Sequence, residues 1–82
     1  MGTKDTLIKR FLSKPKDFTY QELKRLLGFF GYEELQGSGS RVVFVNKPSK
    51  HRIKLHKPHP GNILKHYQLA FIRRELTDKH LL

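Results

Sequence analysis

The chain contains no cysteine and no tryptophan, and only seven of its 82 residues are acidic. Without cysteine there is no disulfide and no thiolate metal site, so a reducing, cytoplasmic setting is expected. No apolar run approaches the ~20 residues that cross a bilayer. The N-terminus has no apolar leader core either, so no secretory or membrane segment is expected. The scarcity of acids removes another class of chemistry, since no acidic pair suited to general acid–base work is present. No Ser-His-Asp arrangement stands out. Gly37-Ser38-Gly39-Ser40 lacks the glycine spacing and the lysine–serine ending of a phosphate loop. His51, His56, His59 and His66 follow no zinc spacing, and thiolate and nearby carboxylate ligands are missing. Neither a metal nor another cofactor is expected.

What the chain does have is positive charge. Seventeen Lys and Arg against seven Asp and Glu give a formal net charge of +10 and a pI near 10.2. On so small a chain this is a strong field for polyanions, although charge alone does not choose among RNA, DNA, an acidic protein and an anionic membrane surface. Hydrophobic content of 37%, with six Phe and three Tyr, supports one small core.

The chain is organised around residues 52–65. Ile53 and Leu55 alternate with Arg52, Lys54 and His56, the period of two that marks a strand with one side buried and a charged side in water. Pro58, Pro60 and Gly61 then stop the strand. Upstream, Asp5 is placed to cap a short helix carrying Leu7, Ile8, Phe11 and Leu12. A second helix is predicted over residues 19–30. Thr19 and Glu22 form a capping box, Phe18 and Leu23 a hydrophobic staple, and Leu23, Leu26, Leu27 and Phe30 the apolar stripe. Gly31 supplies the left-handed residue that ends such a helix, with Tyr32 folding back on Leu27. Strands are predicted over residues 32–36, 41–45 and 51–57, joined by the Gly-Ser turn and by a hairpin loop at 46–50. A last helix over residues 65–76 carries Leu69, Ile72 and Leu76 on one face.

The order α-α-β-β-β-α reads as a two-layer α+β sandwich, with helices on one face of the sheet and cations on the other. Residues 1–17 form an N-terminal helical arm, and residues 18–82 the domain proper. Phosphate contacts are expected from Ser40, Arg41, Arg52, Lys54 and Lys57, and from Lys65 at the start of the last helix. Lys47 and Lys50 in the hairpin loop could reach across a groove, as loops do in binders of double-stranded RNA. Tyr32 and Tyr67 could each stack on a base, but both are expected in the core.

Metal-free RNA cleavage needs a base for the 2′-hydroxyl, a cation for the phosphorane and an acid for the leaving oxygen. Histidine, with a reference pKa near ~6.5, suits both proton transfers, and His56 and His59 are the candidates. Each could equally order the turn by bonding a carbonyl.

Several stretches resemble the small HicA (YcfA-like) toxins of bacterial toxin–antitoxin pairs. The carrying features are Leu27-Gly28-Phe29-Phe30-Gly31-Tyr32, then Gly39-Ser40-Arg41-Val42-Val43-Phe44, then His59-Pro60-Gly61 with Leu64-Lys65. The resemblance covers roughly residues 18–76. It implies a double-stranded-RNA-binding-domain-like α-β-β-β-α fold, here with an extra short N-terminal helix. It also implies messenger-RNA cleavage and neutralisation by an acidic HicB antitoxin. Family members carry Gly-Ser-His where this chain has Gly39-Ser40-Arg41, and that histidine is the residue held to be catalytic. Arginine cannot serve as a base at neutral pH, but its fork matches two phosphate oxygens. Arg41 then reads as a phosphate clamp or transition-state stabiliser, with the proton work passing to His56 or His59. The alternative is a non-catalytic RNA-binding or antitoxin-binding relative.

Overall fold

The computed structural model describes residues 3–58 and 61–82. Its second helix carries the reciprocal N-terminal cap that the residue types predict. Thr19 Oγ1 accepts from the Glu22 backbone N–H at 3.1 Å, and Glu22 Oε1 accepts from the Thr19 N–H at 3.0 Å. This is the reciprocal box the sequence predicts, worth about 1 kcal/mol to the helix. The helix, α2, runs Tyr20–Phe29, and Gly31 follows at φ +88°. A Cβ on Gly31 would sit 3.3 Å from Asn46 Nδ2, so the glycine is required both by its backbone angle and by a close neighbour.

Ahead of it, α1 spans Thr3–Leu12. Asp5 lies inside the first turn of α1, not at its cap as the sequence suggests; a carboxylate there still faces the positive end of the helix dipole. Leu7 and Phe11 are buried and Ile8 packs against the core, while Leu12 stays exposed. Arg10 ties α1 to α2: its Nε lies 2.6 Å from Glu22 Oε2 and its Nη2 lies 3.1 Å from Asp17 Oδ1. The Arg10 bonds hold the Glu22 carboxyl down to about pH 2 against the opposing pull of partial burial.

Three strands follow, β1 (Tyr32–Gln36), β2 (Arg41–Asn46) and β3 (His51–His56), paired antiparallel in the order β1-β2-β3. The last helix, α3, spans His66–Asp78. The expected α+β fold is therefore present, α-β-β-β-α with a helix added in front. Alternation decides the two faces. Val42, Phe44, Ile53 and Leu55 turn inward onto Leu23, Leu26, Leu27, Leu69, Ile72 and Leu76, whereas Arg41, Arg52, Lys54 and His56 turn outward. Phe18, Leu23, Leu26, Leu27, Ile53, Ile72 and Leu76 are all buried at 0% exposure, so the core lies between the sheet and both α2 and α3.

Among the described residues two polar side chains, Asn46 and Gln68, are buried, and both are used. Asn46 donates to the Phe30 carbonyl at 2.9 Å and accepts from the Ser49 N–H and hydroxyl, which fixes the β2–β3 turn against the end of α2. Gln68 is the other, and it shapes the site.

Candidate functional site

The outer sheet face is built in cross-strand rows. Leu35, Val43 and Lys54 form one row, Glu33, Val45 and Arg52 the next, and Arg41 stands opposite His56 at the end. The Lys57 N–H donates to the Ser40 carbonyl at 2.8 Å, so Ser40 and Lys57 form a hydrogen-bonded pair. Their neighbours Arg41 and His56 are then a non-hydrogen-bonded pair, the kind whose side chains approach more closely. Arg41 and His56 thus leave neighbouring positions at the open end of the sheet, with Lys54 two residues away on the same face.

The surroundings hold this pair in place. Ser40 Oγ lies 3.3 Å from His56 Nδ1. The His56 carbonyl accepts from Gln68 Nε2 at 2.8 Å, and Gln68 Oε1 accepts from the Lys65 N–H at 2.9 Å. One buried amide therefore joins the end of β3 to the start of α3. On the other side, the Gly37 N–H donates to the Arg41 carbonyl at 2.9 Å. A Cβ on Gly37 would stand 3.1 Å from Arg41 Cβ and 3.2 Å from its carbonyl oxygen, so any side chain there pushes on the strand that carries Arg41. The loop after β3 is anchored to α2 by Leu64 N–H to the Phe18 carbonyl at 2.8 Å and Tyr20 N–H to the Asn62 carbonyl at 2.7 Å.

Of the residues expected at the site, Arg41, Lys54 and His56 line one shallow groove together with Val42, Val43 and Leu55. Ser40 borders it through His56, and Arg52 lies one row further along the same face. Lys47 and Lys50 sit on the turn at the far end of the sheet, and Lys47 Nζ is held 2.8 Å from Glu33 Oε2. Lys57 has left the outer face; its Nζ lies 5.8 Å from the centre of the Tyr20 ring. Lys65 is exposed at the N-cap of α3. His59 lies outside the described residues.

His51 has a different use. Its Nδ1 is 2.5 Å from the Tyr32 hydroxyl and its Nε2 is 3.0 Å from Glu75 Oε1. It braces β1, β3 and α3 with little exposure. Burial raises the Tyr32 phenol above its ordinary value, and Glu75 adds to the effect. Tyr20 is bonded to Glu34, whose carboxyl stays below the usual range: bonds from Tyr20, Gln36 and Lys24 outweigh burial. Among the described residues no group of three or more His, Cys, Asp or Glu could hold a metal ion.

One expectation is reversed. Tyr67 is 67% exposed and Phe71 is 41% exposed, beside Lys54 and His56, so Tyr67 is no core residue. The core stripe of α3 is Leu69, Ile72 and Leu76. At ~100° per residue, Tyr67 and Phe71 fall nearly opposite that stripe. The helical period already carried this signal.

The family model described as HicA toxin of bacterial toxin-antitoxin matches residues 20–77 of the 82-residue chain. The chain belongs to the HicA toxin family. No curated protein and no solved structure matches it. Membership makes this HicA chain the toxin of a toxin–antitoxin pair and so implies an antitoxin partner. The match takes in α2, the three strands and nearly all of α3, and leaves α1 outside. Among the described residues, no helix of this HicA protein is long and apolar enough to cross a membrane.

Proposed function

We propose that this HicA protein binds messenger RNA on the outer face of its sheet and cleaves it without a metal, and that a HicB-like acidic antitoxin neutralises it in the cytoplasm. The observation that carries the reading is the cross-strand pair of Arg41 and His56, with Ser40 Oγ 3.3 Å from His56 Nδ1. The proposed reaction uses the tautomer in which His56 Nδ1–H donates to Ser40 Oγ, which leaves Nε2 as the base.

In the reaction, His56 Nε2 takes the proton of a ribose 2′-hydroxyl. The 2′-oxygen attacks the adjacent phosphorus, and the bond from phosphorus to the 5′-oxygen breaks. Arg41 grips two non-bridging oxygens and Lys54 adds a second cation, so the charge that develops on the phosphorane is met by fixed positive groups. The departing 5′-oxygen takes a proton from solvent or from His59. The products are a 2′,3′-cyclic phosphate and a 5′-hydroxyl. Ser40 and Gln68 act as positioning residues for His56, one through the ring and one through the backbone.

The test is incubation of the purified protein with end-labelled messenger RNA in chelator. Cleavage should persist, leave cyclic-phosphate ends, and fall ~10²–10⁴-fold in His56→Ala. Arg41→Ala should reduce it with the pattern of ends unchanged. Persistence of full cleavage in His56→Ala would end the assignment of that base.

Arg41 itself favours a second reading, since the family's catalytic histidine is replaced by a group that cannot accept a proton. On this reading the protein binds RNA or its antitoxin and has lost the cutting step. Wild-type protein would then bind without cleaving or arresting growth, and Arg41→His would gain cleavage.

A further inference from the structure

A second recess opens beside the Arg41–His56 groove, and the two share Lys54, Leu55 and His56 as a common wall. Its other wall is the N-terminal half of α3, with Tyr67, Gln68 and Phe71, and it encloses about 320 Å³. Tyr67 and Phe71 are one helical turn apart, so their rings lie on the same side of α3. Both are well exposed, which puts apolar ring area in water on a helix whose core stripe is elsewhere. Cations line the groove and aromatic rings line the recess, and both open on the wall formed by Lys54, Leu55 and His56.

We infer that this recess seats an unpaired base, and hence that the substrate is single-stranded RNA and not a duplex. The inference rests on the RNA-binding reading above and adds the class of RNA and the residues that select it. A phosphate held by Arg41 and Lys54 brings the attached nucleotide to the shared wall at His56. The base can then turn over the sheet edge and stack on Tyr67, with Phe71 behind it. Stacking of this kind needs a base free of its complement.

The far end of the molecule agrees. Duplex binding by this type of fold requires loop cations that reach across a groove, as the sequence suggested for Lys47 and Lys50. Lys47 is instead paired with Glu33 at 2.8 Å, and that acid faces the same side of the sheet as Arg52, so of the two loop cations only Lys50 stands exposed without an acid on it among the described residues. The cationic track is therefore short and ends in aromatic rings, a shape suited to a flexible strand.

The experiment uses the full chain and a short 2′-O-methyl RNA, which cannot be cleaved, as a single strand and annealed to its complement. Fluorescence anisotropy should show preference for the single strand. Tyr67→Ala should weaken single-strand binding about ten-fold and leave the duplex unchanged, while Tyr67→Phe retains the preference. A 2-aminopurine base in the strand should be quenched by wild-type protein and not by Tyr67→Ala. Equal affinity of the wild type for both forms would overturn the inference. So would single-strand binding unaffected by Tyr67→Ala while Arg52→Ala with Lys54→Ala weakens it, a result that leaves RNA binding on the sheet intact. If neither variant changes RNA affinity, the RNA-binding reading fails as well. Retained RNA affinity with loss of antitoxin binding in Tyr67→Ala would make the recess a protein-docking surface and refute the base site.

Discussion

Replacing Arg52 and Lys54 together by alanine should flatten the dependence of RNA affinity on salt. Both side chains leave the outer face of β3 into solvent, and the inward neighbours Ile53 and Leu55 carry the packing. The fold should therefore be unchanged by circular dichroism and thermal melting. For a single strand, log Kobs falls with log[salt] at ~0.7 per phosphate neutralised. Three outward cations, Arg41, Arg52 and Lys54, then give a slope near ~−2 if each meets one phosphate. Removing two should reduce it to about −0.7. Over a four-fold change in salt each lost contact is worth a factor of about 2.6, so the double variant should lose about seven-fold less affinity than wild type over that range. Fluorescence titrations at several salt concentrations measure this directly. Lys9→Ala, on the exposed side of α1, is the control and should keep the full slope. A double variant with the wild-type slope would show that phosphates do not lie on the outer face of β3, and the chemistry assigned to Arg41 and His56 would lose its substrate.

Stability offers further tests. The folded Glu22 carboxyl titrates at about 2, below the ~4.3 of an unfolded glutamate. A depressed carboxyl stabilises above the unfolded value, so its contribution should be present at neutral pH and be lost as pH falls from ~4.3 towards ~2. After allowance for solvent screening this is about 1–2 kcal/mol, and Glu22→Gln should remove that share of the acid-limb dependence in urea titrations at stepped pH, leaving the share due to Glu34. Gly31→Ala forces a left-handed alanine against Asn46 Nδ2 and should cost more than ~1 kcal/mol, read as a lower melting temperature. Gln68→Leu removes the bond to the His56 carbonyl; cleavage or RNA binding should fall further than the melting temperature alone explains. Unchanged activity in Gln68→Leu would show that His56 needs no such support.

The extent to which the chain announces its own structure varies with the range of the forces involved. The capping box of α2, the left-handed Gly31 and the alternation of β3 are decided by neighbours within four residues, and all three are plain in the sequence. The outward placement of Arg52, Lys54 and His56 follows from the same alternation, because one strand face must be buried in a chain with a single core. The exposure of Tyr67 and Phe71 was also readable from the period of α3, although aromatic character pointed the other way.

Other features required tertiary structure. Pairing across two strands sets Arg41 against His56 and brings Ser40 to its ring, and a register shift of one residue would have sent Arg41 to the opposite face. The link from Gln68 to the His56 carbonyl joins residues whose contact depends on how α3 packs against β3. Lys57 and Lys47 carry the same charge as Lys54 in the sequence, yet one lies over the Tyr20 ring and the other on Glu33. Residue type and local period determined which cations exist and which strand face is wet. Which of them share one groove was decided by long-range packing, because convergence is a property of distance in space and not along the chain.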